Sequence, residues 1–321
     1  MNQIYLSDQT NPMHNLAIEE YLLNTVSSDQ HILFLWQNEN TVVIGKHQNP
    51  WIECKLSALK EDNVTLVRRI TGGGAVFHDL GNLNFSFVMP LEEYNLQRQL
   101  GIIVEAVKSL GIPAYLEGRN DILVDNRKFS GNAFCKISHA KLHHGTILIS
   151  SQLDKLGHYL DVPLEKIQSK GVASVRSRVC NLNEYNNTIT VEQMKQKLCE
   201  LFQYTYGEAT VQPLPSKNLI EPYLTKQNSP EWRYGETPPF NWELKTHFSW
   251  GMMHFQFQIN NGHLIHTTIF SDAMNPEFIE TLQNILKDID ITQITTKLLQ
   301  YNFTEQSMIQ DIVEWFHSKG L

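Results

Sequence analysis

The amino-acid sequence predicts an α+β protein, mixed α/β in its larger part, with a large N-terminal unit and a small C-terminal unit. Strand-like and helix-like patterns alternate over about the first 210 residues. Nearer the C-terminus three strand patterns come first and three helical patterns follow, which is typical of a small α+β unit. Residues 211–242 are rich in proline and polar residues, as in an extended connecting segment. We therefore expect one unit over residues 1–242 and a second over residues 243–321.

Each predicted element of the first unit has a local signal. Helices show apolar residues at helical spacing, and strands are short apolar runs bounded by turn residues. Thr190 with Gln193 forms a capping-box signature at the start of a helix, which Gly207 ends. The predicted elements are a helix over 11–28, paired strands at 31–36 and 41–45, strands at 64–70 and 82–89, a helix over 96–110, short strands at 114–116, 122–124 and 145–150, and the helix that begins near 190.

The second unit shows a strand meander followed by helices. The sequence Asn-Asn-Gly at residues 260–262 predicts a tight turn between two of its strands. The predicted strands are 247–250, 252–259 and 263–270, and the predicted helices are 276–288, 292–302 and 304–318.

Composition excludes several classes of protein. The chain has 321 residues, of which 41% are hydrophobic and 19% are charged, and its net charge of −8 argues against nucleic acid or an anionic membrane as a partner. No apolar run approaches the roughly 18 residues of a membrane span, and the first 20 residues lack a signal-peptide pattern. The four cysteines form no CxxC pair, which argues against a disulfide framework or a zinc site. We expect a cytoplasmic protein.

Three consecutive glycines, Gly72 to Gly74, lie between the strand patterns at 64–70 and 82–89. Glycine weakens a strand junction, so three in a row suggest that a ligand or another backbone approaches too closely for a Cβ atom. Arg68 and Arg69 just upstream would make the segment suitable for a phosphate or carboxylate. Taken alone, the pattern also fits a glycine-rich turn with two surface arginines. It matches neither the GxxxxGK[ST] nor the GxGxxG nucleotide-binding motif.

Further candidates follow along the chain. Asp121 and Lys128 lie on the two arms of a predicted hairpin, where the carboxylate could hold Mg²⁺ and the ammonium a phosphate or an oxyanion, or both could be solvated. His143 and His144 precede Gly145 and indicate a pocket wall or a structural histidine rather than a metal site. Two arginines at alternate positions, Arg176 and Arg178, suit an anion or the open surface.

Read together, these stretches resemble the bacterial lipoate–protein ligase A family. The motifs RRxxGGGxVFHD, GRND, RKxSG, HHGT and SVRSRVxNL occur in this order, and the resemblance extends upstream to NLAIEE and downstream to SDAMNP at 271–276. It implies a catalytic domain like that of biotin ligases, with a mixed β-sheet flanked by helices, and a small α+β accessory domain that moves against it. Members of this family join lipoate and ATP-Mg²⁺ into lipoyl-AMP and pass the lipoyl group to a lysine of a carrier domain.

The resemblance also implies roles for individual residues. Lys128 matches the family's catalytic lysine, which contacts both the lipoyl carbonyl and the phosphate, and Asp121 is the candidate for Mg²⁺. The residues implied in ATP binding are Arg69, Gly74, Ala75, Val76, Phe77 and Lys128. The residues implied in lipoate binding are Lys128, Gly73, Trp36, Glu19, His78 and His144.

The same resemblance implies partners and leaves rivals. The partners would be apo lipoyl domains of 2-oxo acid dehydrogenase complexes and the glycine cleavage H protein, served by a monomer. The main alternative is an octanoyl- or lipoyl-transferase of the same superfamily, which uses a cysteine thioester and no ATP, with Cys135 and Cys180 as the thiols to consider. A biotin ligase would have a different glycine/arginine run, and a protein that merely carries lipoate would leave Asp121 and Lys128 without a role.

Overall fold

The computed structural model describes residues 2–48, 50–118, 121–160, 179–234, 242–260, 263–290, 293–319 and 321. Its larger part is built on an eight-stranded mixed sheet in the order β11-β1-β2-β6-β10-β9-β8-β7. The strands of this sheet, in chain order, are β1 (Asn2–Leu6), β2 (His31–Trp36), β6 (Asn82–Pro90), β7 (Tyr115–Glu117), β8 (Asp121–Val124), β9 (Arg127–Lys136), β10 (Ala140–Leu148) and β11 (Ala209–Gln212).

A small second sheet, in the order β4-β3-β5, stands beside the first. Its strands are β3 (Thr41–Ile44), β4 (Thr65–Arg68) and β5 (Val76–His78). The helices of this part are α1 (Pro12–Thr25), α2 (Pro50–Glu53), α3 (Leu56–Glu61), α4 (Leu96–Ser109), α5 (Asp154–Tyr159), α6 (Val191–Tyr206), α7 (Lys217–Asn228) and α8 (Pro230–Tyr234).

Apolar residues of α4 and α6 cover one face of the large sheet, where they meet Leu33, Phe85 and Phe87 in a continuous core. Helices α1 and α7 pack against the opposite face of this sheet. Phe34 and Trp36 of that face belong to a second apolar core. Both faces of the central strand β6 are therefore buried along its whole length.

The C-terminal part is a four-stranded antiparallel sheet with helices packed on one face. Its strands, in the order β12-β13-β14-β15, are β12 (Trp242–Phe248), β13 (Gly251–Asn260), β14 (His263–Ser271) and β15 (Ile289–Asp290). The helices are α9 (Pro276–Ile285), α10 (Ile294–Gln300) and α11 (Gln306–Ser318). Its core is apolar, with Phe255, Phe257 and Phe316 buried together. Three strands precede the helices, as predicted, and the short strand β15 follows the first helix, so this is an α+β unit.

The fold class predicted from the sequence is confirmed. The predicted capping box is also confirmed, since Thr190 and Gln193 form it at the start of α6. Asn95 caps α4 by accepting from the Arg98 amide. The predicted turn at 260–262 extends beyond the described residues. Among the described helices, none is long and apolar enough to cross a membrane.

Two expectations about the first unit are wrong. The strands at 31–36 and 41–45 do not pair with each other, because β2 pairs with β1 and β6 whereas β3 pairs with β4 and β5. The segment 211–242 is not extended over 217–234, where it forms α7 and α8. Packing explains the second difference, since Ile220 is buried against α1 and Lys226 forms an ion pair with Glu20.

Candidate active site

The three glycines of the segment after β4 serve three different needs. A Cβ atom on Gly72 would lie 2.2 Å from the carbonyl oxygen of Ala273, in the turn between β14 and α9. Gly73 has a φ of +91° and donates its N–H to the same Ala273 oxygen at 3.1 Å. Gly74 has no atom within 4 Å of its Cβ position and lines a cavity. The backbone that approaches this segment therefore belongs to the C-terminal unit, and the exposed side of Gly74 remains open to a ligand.

The two neighbouring arginines have separate tasks. Arg68 turns away from the glycine segment and donates to backbone oxygens of Gly45, Lys46, Gln48 and Trp232. Arg69 lines the cavity. It fixes the glycine segment by donating to Thr71 Oγ1 and to the carbonyl oxygens of Val43, Gly72 and Gly74. Burial lowers the pKa of each guanidinium to about 10, so both stay charged at neutral pH. Of these two arginines, Arg69 is the one that lines the cavity.

The cavity has a volume of about 260 Å³ and runs between the two sheets of the first unit. Its walls are mostly apolar side chains together with the backbone of the glycine segment. Of the residues implied by the sequence, all except Glu19 and Asp121 line it. The predicted lining residues are Trp36, Arg69, Gly73, Gly74, Ala75, Val76, Phe77, His78, Lys128 and His144.

A hydrogen-bonded network forms the polar backing of one wall. Trp36 Nε1–H donates to Ser86 Oγ at 3.0 Å, and Ser86 donates to Glu19 Oε1 at 2.5 Å. His144 Nδ1–H donates to the same Glu19 oxygen at 2.7 Å, and Thr71 Oγ1 lies 2.8 Å from His144 Nε2. Glu19 is 1% exposed and lies behind Trp36 and His144, not on the cavity surface. It supports the wall rather than touching a ligand directly.

His78 closes part of the same wall as an uncharged ring. Asn38 Nδ2 donates to His78 Nδ1 at 3.3 Å, and Asn38 Oδ1 accepts from Asn15, which fixes the orientation of the amide. The proton of the neutral ring therefore resides on Nε2. Burial lowers the pKa of His78 to about 3, and the Arg69 and His144 side chains add to this effect. His78 offers the cavity a neutral imidazole at physiological pH.

Lys128 and Asp121 meet as the sequence predicted. Lys128 Nζ lies 2.7 Å from Asp121 Oδ1, and both side chains are about one-third exposed. The ammonium also lies 3.0 Å from the Cβ position of Gly131, so a side chain at that position would make the ammonium shift by a few tenths of an ångström. Lys128 lines the cavity, whereas Asp121 does not. The described residues contain no cluster of three or more potential metal ligands, so a metal here would depend on Asp121 and on oxygens of a ligand.

The sequence left open whether His143 and His144 form a pocket wall or are structural histidines, and the structure places the two residues differently. His143 is fully buried, hydrogen-bonds to the side-chain amides of Gln99 and Asn132, and contacts aromatic rings of the core. Burial holds its pKa well below the usual value, so it is a structural histidine. His144, one residue on, faces the cavity because adjacent strand residues point to opposite faces. Arg176 and Arg178 lie outside the described residues.

Residues that the sequence analysis did not single out also line the cavity, among them Leu16, Asn84, Thr146 and Met274. The alternation of polar Asn84 and Ser86 with apolar neighbours in β6 was the available signal, since this polar face is buried. Asn84 Nδ2 has no hydrogen-bond partner among the described residues. Met274 belongs to the C-terminal unit, and nothing local in the sequence places it there.

The cavity combines mostly apolar walls with the cationic side chains of Arg69 and Lys128, as in proteins whose ligand is apolar with a negatively charged end. Two family models match the chain: the lipoyl protein ligase A/B catalytic domain at residues 11–203 and the bacterial lipoate protein ligase C-terminus at residues 237–316. The chain is 40% identical to a lipoate-protein ligase A of Psychrobacter cryohalolentis over 98% of its own length and 97% of the relative's. It belongs to the lipoate–protein ligase family.

Solved structures agree with this assignment. The crystal structure of P. falciparum LipL1 in complex with lipoate superposes with a TM-score of 0.88 at 32% identity, covering 98% of this chain and 99% of that one. A lipoate-protein ligase A bound with ATP gives a TM-score of 0.65 at 27% identity over 73% of this chain and 98% of that one. A bi-partite lipoate protein ligase from Thermoplasma acidophilum, described with its E2 lipoyl domain, gives 0.68 at 28% identity over 74% and 98%.

Proposed function

We propose that this chain is an ATP-dependent ligase that activates free lipoate to lipoyl-AMP and transfers the lipoyl group to a lysine of an apo lipoyl domain. The observation that supports the proposal is a single cavity with one region suited to an anion and another suited to an acyl chain. The glycine backbone and Lys128 suit phosphate and carboxylate, and Trp36 with His144 suits an apolar acyl chain.

Two steps would take place there. In the first, a lipoate carboxylate oxygen attacks the α-phosphorus of ATP, the bond to the β-phosphate oxygen breaks, and pyrophosphate leaves. In the second, the neutral amine of the acceptor lysine attacks the lipoyl carbonyl, AMP leaves with the bonding electrons, and the nitrogen loses a proton to give the amide. Lys128 Nζ would reduce the repulsion between carboxylate and phosphate in the first step and stabilise the oxyanion in the second.

The remaining site residues follow from their places in the cavity. Arg69 and the backbone from Gly74 to Phe77 would hold the adenylate, while Gly73, Trp36, His78 and His144 would hold lipoate, with Glu19 acting through His144. Asp121 is the carboxylate suited to Mg²⁺, which usually takes one or two carboxylates plus phosphate oxygens. Bound there, Mg²⁺ would offset phosphate charge, and Lys128 would be released from Asp121 toward the substrates.

The proposal includes the setting of the enzyme. The acceptors would be lipoyl domains of 2-oxo acid dehydrogenase complexes and the glycine cleavage H protein, and the enzyme would be a cytoplasmic monomer. The catalytic domain would comprise residues 1–242 and the accessory domain residues 243–321. The structure described with an E2 lipoyl domain supports the class of partner.

The cysteine-thioester alternative has little support in the site. No cysteine among the described residues lines the cavity. Burial raises the pKa of Cys135, Cys180 and Cys199 to about 11, so their thiols stay protonated and unreactive at neutral pH.

The test is pyrophosphate release with ATP, Mg²⁺ and lipoate, and lipoyl transfer after addition of an apo lipoyl domain. Wild type should do both, and Lys128→Ala should lose both by about a hundred- to a thousandfold, as removal of an oxyanion-stabilising group does. Lys136→Ala, an exposed lysine at the far end of the same strand β9, is the matched control and should keep both. Transfer from an acyl-carrier thioester without ATP would overturn the proposal in favour of the transferase.

A further inference from the structure

A relay of hydrogen bonds joins the wall formed by Trp36 and His144 to the glycine segment. It runs from Glu19 on α1 to His144 on β10, then to Thr71 and Arg69, with distances of 2.7, 2.8 and 3.0 Å. Thr71 and Glu19 are 0% and 1% exposed and do not line the cavity. The other two members line the cavity: His144 lies beside Trp36, and Arg69 lies beside the glycine segment.

The hydrogen bonds at the two ends of the relay have fixed directions. A guanidinium can only donate, so Arg69 Nε–H donates to Thr71 Oγ1. A carboxylate can only accept, so His144 Nδ1–H donates to Glu19. The Thr71 hydroxyl lies 2.8 Å from His144 Nε2 and 3.5 Å from the Gly72 carbonyl oxygen, so it donates to Nε2 when the ring is neutral. Displacement of the His144 ring or of the Thr71 hydroxyl would break the hydrogen bond of its neighbour.

The far end of the relay sets the shape of the glycine segment. Arg69 Nη2 donates to the carbonyl oxygens of Gly72 at 2.6 Å and Gly74 at 2.8 Å. These contacts hold the Gly74 amide on the open side of the segment, where a phosphate would bind. An acyl chain packed against His144 would keep that ring, and through it Thr71 and Arg69, in the observed arrangement.

We propose that Thr71 is a positioning residue whose hydroxyl couples the two substrate sites, so that the acyl acid and the nucleotide each bind more tightly when the other is present. This inference rests on the proposed function, because it assumes that lipoate and ATP are the two ligands. Such coupling is reciprocal between two binding sites and commonly amounts to a factor of about 5 to 150.

The experiment measures binding without reaction. Titration calorimetry gives the affinity for α,β-methylene-ATP with and without saturating lipoate. In this analogue a methylene group replaces the oxygen whose bond to the α-phosphorus must break. Wild type should bind the nucleotide at least about fivefold more tightly with lipoate present. Thr71→Val keeps the shape but lacks the hydroxyl, so its ratio should fall to about one. Thr71→Ser restores the hydroxyl and should restore the ratio.

The outcomes separate this inference from the proposed function. Equal ratios in wild type and Thr71→Val, or a wild-type ratio of one, would overturn the coupling while leaving the ligase intact. A wild type that binds neither lipoate nor the nucleotide would overturn the proposed function itself. If Thr71→Val does not fold, Thr71→Ala removes the same hydroxyl without a new methyl group against Arg69. A purely structural role for Thr71 would lower the melting temperature of the variant and leave its ratio unchanged.

Discussion

Strands β6 and β12 have the same alternation of residue types and opposite surroundings. In β12 the exposed positions are the polar ones, Glu243, Lys245 and His247, and the alternate positions turn towards the accessory core. In β6 the polar residues Asn84 and Ser86 are as deeply buried as their neighbours Phe85 and Phe87. The difference shows that period-2 alternation defines two faces of a strand but does not say which face meets water. A polar face that is buried indicates a site.

The two regions also differ in what stabilises them. The accessory unit depends on apolar burial, with Phe255 packed against Trp315 and Phe316. The cavity wall contains a buried carboxylate, Glu19, which is tolerated because His144 and Ser86 hydrogen-bond to it. Substitutions in the first region should therefore act on stability, and substitutions in the second should act mainly on ligand binding.

The largest effect is expected for Phe255→Ala in the accessory core. Removing this fully buried ring leaves a cavity and should lower the free energy of unfolding by about 3–5 kcal/mol. Denaturant unfolding measures it, and Lys245→Ala on the outer face of β12 is the control, expected within about 0.5 kcal/mol of wild type. A small change for Phe255→Ala would show that this core is not closely packed.

The seam between the two regions gives the next effect. Gly72→Ala places a methyl group 2.2 Å from the Ala273 oxygen, so the accessory turn must move, at a cost of about 1–3 kcal/mol. Gly74→Ala, two residues on, meets no atom within 4 Å and should leave the melting temperature unchanged. Equal melting temperatures for the two variants would show that the turn does not rest on Gly72.

Ser86→Ala tests the polar face of β6. It leaves Trp36 Nε1–H without its acceptor and removes one donor from Glu19, which should cost about 1–2 kcal/mol and raise the KM for lipoate. Steady-state kinetics and thermal unfolding together measure this. Ser86→Thr keeps the hydroxyl and is the matched control. An unchanged KM for lipoate in Ser86→Ala would show that this network does not support the wall formed by Trp36 and His144.

The smallest effect, taken over a single pH unit, concerns pH. The pKa of His78 is about 3 in the folded protein and 6.5 in an unfolded chain, so below pH 6.5 the unfolded state binds a proton that the folded state does not. Stability is present above pH 6.5 and is lost as the pH falls towards 3, by about 1.4 kcal/mol per pH unit for this residue.

Replacing His78 by glutamine removes this proton uptake on unfolding. The slope of the unfolding free energy against pH between pH 6 and 5 should therefore fall by the equivalent of one proton. His139→Gln, at an exposed position, is the matched control for the substitution. An unchanged slope in His78→Gln would mean that water reaches the ring.

Much of the local structure could be predicted from the sequence. The capping box at Thr190 and the end of α6 at Gly207 depend on residues within one turn of each other, so their signal is local. The ordered motifs likewise brought Lys128 and Asp121 together and placed Trp36, His78 and His144 on one cavity. Hydrogen bonds between near neighbours and fixed side-chain periods are properties of a short segment, and sequence records them directly.

Only the tertiary structure decided the partners of each segment. It paired β2 and β3 with different sheets, turned Arg68 away from the cavity while Arg69 stayed, and set Glu19 behind the wall. It also brought Ala273 and Met274 onto the glycine segment from a distant part of the chain. Strand pairing and close approach depend on which buried surfaces fit together over the whole molecule, so no short stretch of sequence contains that information.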